Sequence, residues 1–377
     1  MSTIKPYPIL FITSNLGGGG AERALVNIIN NLDRTIFTPY LALFKKQGVF
    51  LGELASDIQV YEIQPEEGNF LTRNWIRLHS IKQLYDQIKP KLIMSIKWQA
   101  NEVLLIAKKV WNFKVPVIIN EQGAPQASLK DDPRRRLLWP IFGWIYTWSD
   151  RIIVISEGIA NELHQQMHIP SHKIVTISNP IQVNKTKENA INLQFKTSGT
   201  PAILAAGRLT PLKNYPLLLR AAALVIQDKP IDVYILGEGS EKSNIEELST
   251  QLGIREHIHL LGFQPNLHQY LSQADIFVLS SNHEGFGNVL VEAMDAGVPV
   301  VSTDCPYGPR EILEDGKFGL LVPVNDAELL AQAIRKLLDD PDLHSHYAQE
   351  GQRRARDFSI DNILLRYKEL FLGLLNP

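Results

Sequence analysis

The 377-residue chain predicts an α/β protein made of two doubly wound, Rossmann-like domains facing each other across a cleft. Three observations point there. Short apolar runs rich in Ile, Val and Leu recur along the chain, and helix-like stretches alternate with them. A single polar stretch without a clean period, 181–200, interrupts the series.

The first set of runs reads PILFITS (8–14), PYLALF (39–44), KLIMSI (91–96), VPVIIN (115–120), RIIVIS (151–156) and KIVTIS (173–178). The second reads AILAAG (202–207), DVYILG (232–237), HIHLLG (257–262), DIFVLS (275–280) and PVVST (299–303). Apolarity that is continuous rather than alternating marks strands buried on both faces, and hence parallel sheets. Between them, AERALVNIINNL (21–32) and YPLLLRAAALVIQ (215–227) have helical character. Alternation of this kind stacks into α/β layers. The polar interruption sets the expected division: an N-terminal domain over 1–180, a linker over 181–200 and a C-terminal domain over 201–354. The last stretch, RARDFSIDNILLRYKELFLGLL (354–375), is an amphipathic helix compatible with either domain.

Length alone exceeds what one ordinary core serves. Composition, 45% hydrophobic and 21% charged with net charge −2, is that of a globular protein with no field favouring nucleic acid. The lone cysteine, Cys305, excludes an intramolecular disulfide and argues against a cysteine-based zinc site. It points to a reducing, cytoplasmic setting. The N-terminal apolar run in MSTIKPYPILFITSN is too short for a signal peptide or a spanning helix.

In open α/β sheets, ligands bind beyond the carboxyl ends of the strands, which directs attention to the loops there. NLGGGGAER (15–23) follows the first strand and opens a helix. Its glycines, Gly19 and Gly20 among them, allow close backbone approach and an anion at the helix start; a plain tight turn reads equally well. A dinucleotide site fits poorly, because the spacing would need glycine where Glu22 stands. GRLTPLKN (207–214) places Arg208 and Lys213 at one strand mouth. Two cations there suit a diphosphate, although lysine and arginine are more often simply solvated.

EGFGNVLVE (284–292) enters the same mouth from the strand DIFVLSS. A helix is expected from about Asn288 to Ala296, stopped by Gly297 and Pro299. The N–H groups of Asn288, Val289, Leu290 and Val291 then lack intrahelical partners and can hold a phosphate. Glu292, one turn in on the face of Asn288, would reach an attached ribose. Glu284 and the amides of Gly285, Phe286 and Gly287 would meet a sugar on the phosphate's other side.

These stretches, with GGGGAE near the start and GLLVP (319–323) near the end, resemble the retaining glycosyltransferases of family 4, bacterial type, which have the GT-B fold. The likeness covers essentially the whole chain, and two glutamates separated by seven residues are its most specific mark. It implies that the C-terminal domain binds a nucleoside diphosphate sugar, most simply a UDP-sugar. The N-terminal domain would bind a hydroxyl acceptor such as a glycolipid, a polysaccharide precursor or a small molecule. It also implies that the terminal helix, 355–377, returns to the N-terminal domain. By position, Arg208 and Lys213 resemble the cations that stabilise the departing diphosphate in place of a metal ion, so no metal or other cofactor is expected. Glu292 resembles the ribose ligand, and Glu284 with Gly285–Gly287 the donor-sugar ligands. Gly19 and Gly20 resemble the loop that approaches the diphosphate and the acceptor when the domains close, and GFQPN (262–266), with Phe263 and Gln264, the loop that meets the base.

Many relatives have a histidine after the VPVIIN strand, where this chain reads NEQGAPQ (120–126), so Glu121 and Gln122 are the acceptor-side candidates. His164, His168 and His283 read as surface or structural residues, and Cys305 as a small buried one. CPYGPREIL (305–313) offers Arg310 and Glu311 to the cleft or to the scaffold. PRRRLLWPIFGWIYTWSDR (133–151), basic then aromatic, suits either an anionic membrane surface or a core helix with a wet end. Rival functions are another GT-B enzyme, such as a nucleotide-sugar epimerase, and a non-catalytic glycan- or nucleotide-binding protein.

Overall fold

The computed structural model describes residues 5–63, 70–123, 141–183 and 199–376. The chain divides into two compact units, one of Met1–Pro180 with Ile360–Pro377 and one of Ile181–Ser359. Most of the expected linker, 184–198, lies outside the described residues. The chain leaves the second unit after Ser359, past the boundary at 355 taken from sequence.

The first unit holds a seven-stranded sheet: β1 Tyr7–Thr13, β2 Phe37–Leu43, β3 Gln59–Glu62, β4 Leu92–Ile96, β5 Val117–Glu121, β6 Arg151–Val154 and β7 Ile174–Thr176. The order is β3-β2-β1-β4-β5-β6-β7, and every pairing is parallel. β4 and β5 are buried along their whole length, as continuous apolarity requires. The order turns between β1 and β4, which makes their carboxyl ends the switch point of this sheet.

The terminal helix Ile360–Leu375 completes the core of this unit. Ile363, Tyr367 and Phe371, at helical spacing, are its buried face. The Phe371 ring meets Phe37 edge-on at 5.8 Å, Tyr367 at 5.8 Å and Phe11 at 6.5 Å. Asn120 Nδ2 donates to the Tyr367 hydroxyl at 3.0 Å, tying the helix to the end of β5.

The second unit holds a six-stranded parallel sheet: β8 Ala202–Ala206, β9 Asp232–Leu236, β10 Ile258–Gly262, β11 Ile276–Leu279, β12 Val300–Thr303 and β13 Leu320–Val322. Its order, β10-β9-β8-β11-β12-β13, turns between β8 and β11. The helices Tyr215–Ile226 and Ala327–Asp339 bury Leu218, Ala222, Leu330 and Ile334 in one cluster with these strands. Helix starts follow capping rules: Asp326 accepts from the Leu329 N–H and Asp340 from the Leu343 N–H, both at 2.9 Å, with Pro341 just inside.

Gly237, just after β9, has φ +146, and a Cβ there would lie 1.9 Å from the Gly207 carbonyl oxygen. Only glycine permits this approach of two strand-end loops. Gly237→Ala is expected to cost about 2–3 kcal/mol. An unchanged denaturant midpoint would contradict it.

Candidate functional site

The loops leaving β8 and β11 meet at the switch point of the second unit. After Gly207, a turn of 3₁₀ helix at Pro211–Lys213 brings Lys213 back over the strand mouth. A Cβ on Gly207 would stand 3.2 Å from Lys213 Cε, so glycine leaves room for the lysine stem. Lys213 Nζ donates to Glu284 Oε1 at 2.5 Å, and Ser281 Oγ donates to the same oxygen at 2.6 Å. The two loops are sewn together around this pair. Ser280 Oγ donates to the Lys213 carbonyl at 2.9 Å and Asn214 Nδ2 to Asn282 Oδ1 at 2.8 Å, while the Tyr215 hydroxyl closes the first loop on itself by donating to the Gly207 carbonyl at 3.0 Å. Side-chain exposure is 21% for Lys213 and 10% for Glu284, so the pair is poorly screened but still reaches solvent through its cation.

The sequence assigns Lys213 to the diphosphate and Glu284 to the sugar, and the structure couples the two side chains directly. Arg208 is exposed and has no ion pair among the described residues, which leaves its guanidinium open to an anion. Burial, reinforced by the Glu284 charge, pushes the Tyr215 hydroxyl well above its usual range. The same two causes push the Cys305 thiol up to about 12, so it stays protonated and is no nucleophile.

A third loop braces Glu284. Its N–H donates to the Pro306 carbonyl at 2.9 Å, and the Tyr307 N–H donates to the Glu284 carbonyl at 3.3 Å. The rings of His283 and Tyr307 meet edge to face at 5.5 Å. Sequence reasoning passed over this buttress. The only signal for it was CPYGP, a turn-forming string right after a strand.

Among the described residues the N–H groups of Gly285, Phe286 and Gly287 have no acceptor. The Phe286 ring is buried edge-on against Phe358 at 5.4 Å, so Phe286 anchors the loop and can offer only its backbone. The helix Asn288–Asp295 follows, with Asn288, Val289 and Glu292 half-buried. Leu290 must be removed from the donor contacts taken from sequence. Its N–H already donates to the Gly287 carbonyl at 2.8 Å, because the entry turn tightens there, and its side chain is fully buried. Phe263 is 48% exposed beyond β10, and Gln264 Nε2 donates back to the Leu261 carbonyl at 2.8 Å.

In the first unit, Gly19 precedes and Gly20 opens the helix Gly20–Asn31. The acceptor-side candidates both turn inward. Glu121 is buried and accepts from the Tyr146 hydroxyl at 2.7 Å; burial first, then the Glu121 charge, raises that phenol well above its usual range. Gln122 exchanges amide hydrogen bonds with Asn179 at 3.0 Å each way. Their side chains therefore serve the scaffold. His164 Nδ1 lies 2.9 Å from the Ile169 carbonyl oxygen, a structural contact. Arg310 pairs with Asp304 and Asp315, and the Glu311 carbonyl accepts from Arg354 at 2.9 Å.

Of the aromatic segment, 133–140 lies outside the described residues. Beyond it Trp144 is 61% exposed, Trp148 meets it at 4.7 Å, and Lys109 Nζ lies 5.7 Å from the Trp148 ring. No helix among the described residues is long and apolar enough to cross a membrane. None of their His, Cys, Asp and Glu side chains form a group of three that could hold a metal ion.

Comparison with known proteins agrees along the chain. The family model described as Glycosyltransferase Family 4 matches residues 18–185, and Glycosyl transferases group 1 matches residues 186–354. The Campylobacter jejuni N-acetylgalactosamine-N,N'-diacetylbacillosaminyl-diphospho-undecaprenol 4-alpha-N-acetylgalactosaminyltransferase is 29% identical over 363 residues, 93% of this chain and 94% of that protein. The lipopolysaccharide core biosynthesis glycosyltransferase LpsE of Rhizobium meliloti is 34% identical over 171 residues, 45% of this chain and 49% of that protein. The crystal structure of Anabaena HepE in complex with UDP and glucose superposes with a TM-score of 0.83 at 22% identity, covering 97% of this chain and 100% of that one. Matched end to end over two parallel-sheet units, the chain is a glycosyltransferase of family 4 with the GT-B fold.

Proposed function

We propose that the protein moves a sugar from a UDP-sugar, with retention of configuration and without a metal ion, to a hydroxyl of a glycolipid or polysaccharide precursor. The observation that carries this reading is the β8/β11 mouth, with the Lys213–Glu284 pair and, among the described residues, an Arg208 without an ion pair and three N–H groups without acceptors. Arg208 and Lys213 neutralise the leaving diphosphate, where charge develops in the transition state. A leaving-phosphate oxygen takes the acceptor's proton. Glu284 and the Gly285–Gly287 backbone hold the sugar, and Asn288 and Val289 the phosphate. Glu292 accepts from the ribose hydroxyls. The base lies near Phe263 and Gln264, two strands over, a distance of roughly 10 Å. The UDP bound by HepE and the diphospho-undecaprenol in the name of the Campylobacter relative support this donor and this acceptor class. A cytoplasmic site at the inner membrane face fits both the single cysteine and the exposed Trp144.

The test is release of nucleoside diphosphate from a panel of UDP-, GDP- and ADP-sugars, with and without EDTA. Release from one UDP-sugar, unchanged by EDTA, is expected; dependence on EDTA would end the metal-free reading. Glu292→Ala should raise KM for the donor on the order of tenfold with little change in kcat, because ribose contacts are made in both ground and transition states. A loss in kcat alone would displace Glu292 from the ribose. Sedimentation with anionic vesicles should fall in Trp144→Ala; equal pelleting of the variant would remove membrane docking through this segment.

A further inference from the structure

We infer that Glu22 and Lys97, at the switch point of the first unit, form a second anion site that takes a phosphate group of the acceptor. The inference rests on the reading that this unit receives the acceptor.

The first observation is topological. β1 and β4 stand to the seven-stranded sheet as β8 and β11 stand to the six-stranded one, on either side of the turn in strand order. At the second switch point the two loops are joined by the Lys213–Glu284 pair. At the first a lysine and a glutamate are paired as well, since Lys97 Nζ, just past β4, donates to Glu22 Oε1, in the first turn of the helix that follows β1. The polarity along the chain is reversed, but the arrangement is the same.

Exposure gives the pair a direction. The Lys97 side chain is 34% exposed and that of Glu22 is 6%, so the acid is buried and the base is the member of the pair that reaches solvent. Lysine has three N–H donors, and among the described residues Glu22 is the only partner of this one. The remaining donors can serve an incoming anion.

The backbone at both ends is shaped around the pair. Lys97 has φ 74 and ψ 146, a conformation that glycine takes freely and that is costly for a residue with a Cβ. A turn alone would be served better by glycine, so the side chain is what this position supplies. Across from it, a Cβ on Gly19 would lie 2.6 Å from Glu22 Oε2, so the acid lies directly against the glycine loop.

Two helices begin here, Gly20–Asn31 and Trp98–Trp111, and neither has a side-chain cap. The dipoles of both helices put positive potential at these starts. With its charge offset by Glu22, Lys97 offers an incoming group its spare charged N–H donors, and these bond more strongly to the oxygens of a phosphate or diphosphate ester than to the hydroxyls of a neutral sugar. The donor's own diphosphate is the other possible source of such a group, and the experiment separates the two.

UDP is first titrated calorimetrically into the full chain. Geranyl diphosphate is then titrated into the UDP-saturated protein, with geraniol as the uncharged control. UDP binding reports on the donor reading; its absence would undo that reading and not this one. Geranyl diphosphate, and not geraniol, is expected to bind once more in the presence of UDP. Lys97→Met and Lys97→Gln should each weaken that second event by at least roughly tenfold, and Lys97→Arg should stay within about threefold of the parent. All three variants should keep the parent affinity for UDP, which also shows that they are folded. The inference is overturned if the UDP-saturated parent takes no geranyl diphosphate, or if Lys97→Met binds it as tightly as the parent. Equal loss of UDP binding in Lys97→Met would also overturn it.

Discussion

Lys213→Ala is expected to lower turnover by about two to three orders of magnitude, the usual cost of removing one preorganised donor from developing charge. The lysine reaches the β8 mouth on a 3₁₀ turn and is held there by Glu284 at 2.5 Å and by Ser280 through its own carbonyl. Its charge is thus in place before any ligand arrives, and no reorganisation is needed at the moment of reaction. Removing it also strands Glu284, 10% exposed and left with the Ser281 hydroxyl, so part of the damage will be to stability. Lys213→Ala combined with Glu284→Gln separates the two effects. The double variant should recover thermal stability without recovering kcat. Turnover of Lys213→Ala within threefold of the parent would remove the lysine from the chemistry.

Phe371→Ala is expected to destabilise the first unit by about 3–5 kcal/mol. The ring is fully buried and touches Phe11, Phe37 and Tyr367, two of which come from strands more than three hundred residues earlier. Removing it leaves a cavity that a packed sheet and helix cannot close. Because the change is confined to one unit, denaturant unfolding should separate into two steps, the first carrying the loss. A shift below about 1 kcal/mol would mean that the terminal helix is a surface attachment and not core.

Much of the fold is legible in the sequence, for a local reason. Strands buried on both faces must be apolar throughout, and each apolar run named from sequence corresponds to a strand. The strands passed over, β3 and β13, are at sheet edges. β3 reads QVYE and keeps partly exposed polar ends, while β13 has three residues, too few for a pattern. The residues gathered at the candidate site were legible too, because Arg208 with Lys213 and Glu284 with Glu292 are close neighbours in sequence on two loops and a helix start.

By itself, then, the sequence determined two parallel α/β layers, the family and the residue types at the second switch point, because periodicity and short motifs are local properties. Tertiary structure alone decided which of those residues touch. Lys213 finds Glu284 across 71 residues and Lys97 finds Glu22 across 75. Glu121 and Gln122 turn inward to Tyr146 and Asn179, and the last helix takes the place on the first sheet that the resemblance implied and its own pattern left open. Each of these depends on which strands lie side by side, and strand order is set by packing over the whole chain.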